Sequence, residues 1–139
     1  MAAFAQRHSI LPVSLLPLDM LRPHEMTIEE RVQSLMKDLE ERRVQERPIL
    51  VDSKTMIILD GHHRTEALKR LGARRIAAVL VDYDSDLVSV DSWRPGVRVS
   101  KDLVRSAGLT GKLLPPRTSR HRVNAEIPRA DTPLDELMR

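Results

Sequence analysis

The sequence predicts a single domain of the α/β (α+β) class, a small mixed sheet flanked by helices. Three observations predict it. Short runs rich in Val, Ile and Leu, at residues 49–51, 57–59 and 75–81, read as buried strands. Two segments carry apolar residues at helical spacing: Ile28, Val32, Leu35, Met36 and Leu39, then Ala67, Leu68 and Leu71. Finally, 139 residues suffice for one cored domain and not for two of ordinary size. Strands and helices mix without strict alternation, and no internal repeat is visible.

Each element has its own local reason. Residues 9–21, broken by Pro12 and Pro17, read as an irregular first strand at a sheet edge. A polar loop follows at 22–25. Thr27 and Glu30 fit a capping box that opens a helix ending near Val44, with a charged outer face. Residues 49–51 and 55–59 flank a turn at 52–54 and form a hairpin. Asp60-Gly61 breaks the second strand, a helix starts at His62, and Gly72 stops it. After the strand at 75–81 come a turn at 83–86, a short strand at 87–90 and a loop at 93–96. Ser100 caps a helix through Ala107, stopped by Gly108. Residues 114–121 form a basic segment stiffened by two prolines and without regular structure, and 123–127 a last strand. The domain thus covers residues 1–127, and 128–139 form a mobile tail with a turn of helix at 134–138.

Composition excludes several classes of function. The chain has no cysteine, which removes disulfides, thiolate metal sites and cysteine catalysis, and points to an intracellular, cytoplasmic protein. Arg7, Pro12, Pro17 and Asp19 break up the apolar residues near the N-terminus, so neither a signal peptide nor a membrane span is expected. The formal charge is only +3 and the charges are well mixed, so DNA is not expected as a partner. Phe4, Tyr83 and Trp93 are the only aromatics, too few for a base-stacking surface. The stretch Gly108-Leu109-Thr110-Gly111-Lys112-Leu113 lacks the spacing of a P-loop, and no protein-kinase motif set or nucleophile elbow is present.

The chemistry concentrates at the strand–turn–helix junction Leu59-Asp60-Gly61-His62-His63-Arg64. A helix start after a tight turn leaves backbone N–H groups without partners at His62, His63 and Arg64, a natural seat for phosphate. The two imidazoles and the guanidinium can add hydrogen bonds to phosphate oxygens. Asp60 stands where ligand groups commonly sit, or serves as the helix N-cap. His62 and Glu66 have i,i+4 spacing, but no third metal ligand accompanies them. Thr118-Ser119-Arg120-His121 can clamp an anion or an amino acid, or be a plain basic loop. Trp93, in a loop, can cover a ligand or pack in the core. Glu25 reads as an ordinary carboxylate.

These residues resemble the ParB/sulfiredoxin superfamily, whose signature helix matches Leu59 to Arg64 and continues through Ala67 to Gly72. Sulfiredoxins carry a cysteine where this chain has His62, and partition-type ParB proteins add a helix-turn-helix domain for which no segment after Val81 has the pattern. The free L-serine kinases are the most similar branch, with Asp-Gly-His-His-Arg intact, Glu25 in a His-Glu loop, a downstream Trp93 and a late Thr-x-Arg-His. The segment between Trp93 and Thr118 is shorter than in that group. The resemblance implies transfer of a phosphoryl group from ADP or ATP to L-serine, with Mg²⁺. It implies nucleotide binding at Gly61, His62, His63, Arg64 and Thr65, and serine binding at Trp93, Thr118, Arg120 and His121. Glu25 and Asp60 become the catalytic carboxylates, Asp60 also the metal ligand. The alternative it leaves open is a nucleotide-binding ParB-like regulator without catalysis.

Overall fold

The structure, a computed structural model, describes residues 10–139. Ser9 of the expected first strand, and Arg7 with the expectation of no leader peptide, lie outside the described residues. In chain order the elements are β1 (Ser14–Pro17), α1 (Glu29–Arg42), β2 (Val44–Gln45), β3 (Ile49–Asp52), β4 (Ile58–Asp60), α2 (His62–Arg70), β5 (Arg75–Val81), β6 (Val88–Ser92), α3 (Lys101–Thr110), β7 (Ser119–Val123), β8 (Thr132–Pro133) and α4 (Leu134–Leu137), with a 3₁₀ turn at Leu18–Met20.

The central sheet has the order β1-β5-β3-β4. β3 and β5 are parallel, and the other two pairings are antiparallel, so the sheet is mixed as expected. Alternation along β3 and β5 sends side chains to both faces, and both faces are buried. Ile49, Val51, Ile76 and Ala78 meet Val32 and Leu39 of α1, Ala67 and Leu68 of α2, and Leu134 and Leu137 of α4. Leu50, Val79 and Val81 face the other way, joining Ile57, Leu59, Tyr83, Val88 and Val104. The antiparallel pair β6–β7, with α3 inserted between its strands in sequence, covers this second face. The domain is therefore three layers deep, with the β4–α2 junction at one end of the sheet.

Several local expectations fail for reasons that lie far away in sequence. Thr27 does not cap α1. The helix begins at Glu29 with Ile28 as N-cap and no side-chain cap, and the Ile28 amide donates to Nε2 of His63 at 3.0 Å. Gly108 does not stop α3 but lies inside it, where an added Cβ would come within 2.7 Å of the Ile57 side chain. The close packing of helix on strand explains that glycine, and the helix runs on to Thr110. The segment expected to be irregular contains most of β7, which starts at Ser119, while 123–127 holds no further strand beyond a bridge from Glu126 to Ile10. The expected mobile tail is packed: β8 pairs with β2, and Leu134 and Leu137 are buried in the first core.

Candidate functional site

The β4–α2 junction opens on a cleft of about 480 Å³. Gly61, the N-cap of α2, has φ 109° and no side chain caps the helix. A Cβ at Gly61 would lie 2.3 Å from Cγ2 of Ile49, so the fold accepts only glycine there. The first amide with a partner inside the helix belongs to Thr65, which donates to the Gly61 carbonyl at 2.9 Å. The amides of His62, His63 and Arg64 therefore form the open, partially positive end of the helix. Asp60 is exposed at the cleft and does not act as the N-cap. Burial lowers the Arg64 guanidinium from its ordinary pKa, as Arg47 also does, against the pull of Asp60 and Glu46.

Across the cleft stands Glu25, on a loop that the structure pins on both sides. Ile58 donates to the Arg22 carbonyl at 2.8 Å, and Met26 to the Leu114 carbonyl at 2.9 Å. Glu25 is only 8% exposed. Its carboxylate accepts from the amides of Arg117 (3.1 Å) and Ser119 (2.8 Å) and from the Ser119 hydroxyl. Burial alone would raise its pKa, but bonds from His24 and Ser119, with the charge of His24, outweigh it and hold the carboxyl at about 2.

The two histidines of the motif do something the sequence did not indicate. Nε2 of His62 accepts from the amides of His24 (3.1 Å) and Glu25 (3.3 Å). Nε2 of His63 accepts from Ile28. Each imidazole thus ties the start of α2 to a loop, and neither Nε2 is free to donate to phosphate. Burial, reinforced by the charge of His24, pushes His62 far below the ordinary imidazole range, so it is neutral.

Of the expected site residues, Glu25, Asp60, Gly61, His62, His63, Arg64 and Trp93 line one cleft. Trp93 is 51% exposed, with the guanidinium of Arg120 5.0 Å and that of Arg117 5.8 Å from its ring centroid. The remaining four lie elsewhere. Thr65 bonds back to Gly61 and faces a second cleft on the other side of Glu25 and His62. Thr118 donates to the Pro115 carbonyl at 2.7 Å. Arg120 is engaged by both oxygens of Asp91 at 2.7 Å. His121 points inward to the Tyr83 hydroxyl at 2.8 Å, and its burial drives its pKa down to about 4. The predicted clamp is therefore not assembled in the cleft. Sequence reasoning missed Arg31, Ser34 and Arg117, which do line it, and of the clamp stretch only Ser119 reaches it. Alternation along β7 sends Ser119 and His121 inward and Arg120 outward.

Among the described residues no group of three or more His, Asp or Glu is placed to hold a metal ion by itself. Asp60 nevertheless suits Mg²⁺, which usually takes one or two carboxylates and completes its shell with substrate phosphates and water. No helix among the described residues is long and apolar enough to cross a membrane.

Comparison with known proteins bears on family and fold. The ATP-dependent L-serine kinase of Staphylothermus marinus is 31% identical over 98 residues, 64% of this chain and 39% of that protein. The ADP-dependent L-serine kinase of Thermococcus kodakarensis is 34% identical over 85 residues, 58% of this chain and 35% of its own length. A ParB-like protein of Sulfolobus acidocaldarius is 43% identical over 77 residues, 52% of this chain and 36% of that protein. The matched stretch thus spans well under half the length of each of these relatives. A free serine kinase solved in complex with AMP shares the fold, with a TM-score of 0.83 at 17% identity over 94% of this chain and 95% of that one. Residues 2–91 match the ParB N-terminal domain, and the chain belongs to that family.

Proposed function

We propose that this protein is an L-serine kinase that moves a phosphoryl group from ADP or ATP to the serine hydroxyl, giving O-phospho-L-serine. One observation carries the reading: a buried, ionised carboxylate, Glu25, faces the open amide end of α2 across a single cleft. An anion cradle and a proton acceptor side by side are what phosphoryl transfer to an alcohol needs. The relatives named as L-serine kinases support the choice of acceptor.

In this reading the donor's phosphates sit against the amides of His62, His63 and Arg64, with the guanidinium groups of Arg64, Arg31 and Arg117 lining the same cleft. Glu25 takes the hydroxyl proton as the serine oxygen bonds to phosphorus, and the bond to the nucleotide's bridging oxygen breaks, its electron pair leaving with the nucleotide. Mg²⁺, held by Asp60 and the phosphates, would neutralise charge on the transferring group. His62 and His63 keep the Glu25 loop and α1 in place rather than contacting phosphate through Nε2. Trp93 and Arg117 form the rim nearest the acceptor, and Arg117 replaces Arg120 as the cation available to a carboxylate. Incubation with L-serine and each nucleotide, followed by mass spectrometry for phosphoserine, tests the reading. The ParB-like relative favours a second reading, a nucleotide-binding regulator that yields no phosphoserine.

A further inference from the structure

Glu25 is one end of a buried hydrogen-bond chain. We propose that Glu25, Ser119 and His24 form a proton relay, in which the proton taken from the substrate hydroxyl comes to rest on Nε2 of His24 by way of the Ser119 hydroxyl. The kinase reading above supplies the substrate; the relay itself rests on the chain of bonds.

His24 is fully buried. Its Nδ1 lies 2.6 Å from the Ile58 carbonyl oxygen. A carbonyl only accepts, so Nδ1 carries a proton and Nε2 is the nitrogen that gains or loses one. Nε2 is 2.9 Å from Oγ of Ser119 and 3.4 Å from Oε2 of Glu25. The Ser119 hydroxyl also bonds Oε2 of Glu25. One hydroxyl proton cannot serve both neighbours. Both contacts are satisfied only when the chain holds a second proton. It can sit on His24, with Ser119 donating to Glu25, or on Glu25, with Ser119 donating to His24. Two short hops interconvert these arrangements while every heavy atom stays in place.

The neighbours show why the proton settles at the His24 end. Oε2 of Glu25, the Ser119 hydroxyl and Nε2 of His24 form one run of contacts, and Nδ1 of His24 donates to the Ile58 carbonyl, which steadies a proton on that ring. The other imidazoles facing His24 are otherwise committed. His62, 4.6 Å away between ring centroids, has Nε2 occupied by two amides, and His121, 6.0 Å away, bonds Tyr83. His63 and Arg117 lie near Glu25, and Lys101 lies beyond His121. Of these imidazoles only His24 has both a hydroxyl and a carboxylate in reach.

The protons balance. The serine substrate's hydroxyl proton passes to Glu25 and on to the Ser119 oxygen, while the proton Ser119 held passes to His24. After product leaves, the reverse hops return it through Glu25 to the cleft. His24 and Ser119 are thus positioning residues that act through Glu25.

Ser119→Ala in the whole chain removes the hydroxyl and keeps the Ser119 amide bond to Glu25. The expected result is a kcat lower by about a hundredfold, the usual scale for acid–base assistance, with KM for both substrates within about twofold. The rising limb of kcat/KM against pH moves to lower pH, and Ser119→Thr, which keeps a hydroxyl, restores both rate and limb. An unmoved limb, or equal losses in Ser119→Ala and Ser119→Thr, overturns the relay. A second readout needs no activity. In the ligand-free protein the Glu25 carboxyl ¹³C resonance and the His24 ring resonances should shift together along a pH series, and in Ser119→Ala that shared response should fall by about half or more. An unchanged response overturns the relay whatever the turnover, while a wild type that makes no phosphoserine overturns the kinase reading alone.

Discussion

Glu25→Gln separates what this carboxylate does for the fold from what it does for chemistry. Glutamine keeps one oxygen and the size of the side chain, but replaces the other oxygen with a donor. Both carboxylate oxygens now accept from backbone amides, of Arg117 and Ser119, and one also takes the Ser119 hydroxyl. Whichever way the amide turns, one donor faces another in a site that is nearly closed to water. Lost bonds to a buried group of this kind cost about 1–3 kcal/mol. For 139 residues the unfolding entropy is roughly 0.3 kcal/mol per kelvin, so Tm should fall by about 3–10 °C. Turnover should fall further than stability can explain, by roughly two to four powers of ten at a temperature where circular dichroism shows the variant folded. Calorimetry and a phosphoserine assay on one preparation read both. An unchanged Tm would refute the buried three-bond description of Glu25, and a rate near wild type would refute its role as base. A loop carboxylate ordinarily carries little stability, and the burial of Glu25 reverses that rule here.

Three further outcomes follow from the same structure. Arg64→Ala should weaken nucleotide binding by about tenfold or more, the worth of one charged hydrogen bond at roughly 1.5–3 kcal/mol, and calorimetric titration reads it. Leu137→Ala should cost about 2–5 kcal/mol, because α4 is part of the core and not a loose tail; an unchanged urea midpoint would contradict this. Acid should act in two stages. Burial lowers His62 and His121 below the ordinary histidine value of 6.5, so stability starts to fall as pH drops through that value. The depressed Glu25 carboxyl adds stability that is complete above 4.5 and is lost as pH falls toward about 2, on the order of 3 kcal/mol. Urea midpoints measured from pH 7 to pH 3 check the sign: a midpoint that rises on acidification would be the contrary result.

What the sequence made legible is what local pattern encodes. β5 and the β3–β4 hairpin follow from β-branched runs punctuated by turn residues, and α2 follows from Ala67, Leu68 and the stop at Gly72. The open amide end at His62 to Arg64 was legible because a strand, a glycine and a helix start suffice to create it. Features built by distant partners were not legible. Ser119 is 94 residues from Glu25, and nothing in its own neighbourhood marks it as a ligand of that carboxylate. Nor does local sequence show that the Ile28 amide at the start of α1 donates to the ring of His63, 35 residues away. β7 hides because its sequence, Ser-Arg-His-Arg-Val, is polar on both faces, with His121 buried against Tyr83 rather than against hydrocarbon alone. The tail is short and mostly polar, and only the core shows that Leu134 and Leu137 are the residues that anchor it.

The most direct test of the central claim is a ³¹P NMR time course of the purified protein with L-serine and Mg²⁺, run once with ADP and once with ATP. The account predicts that with at least one donor a phosphoserine resonance grows in step with the shortened nucleotide, AMP from ADP or ADP from ATP, one molecule for one. A nucleotide that binds at the start of α2 but stays intact with both donors, or that is cut to inorganic phosphate with no phosphoserine, would contradict it.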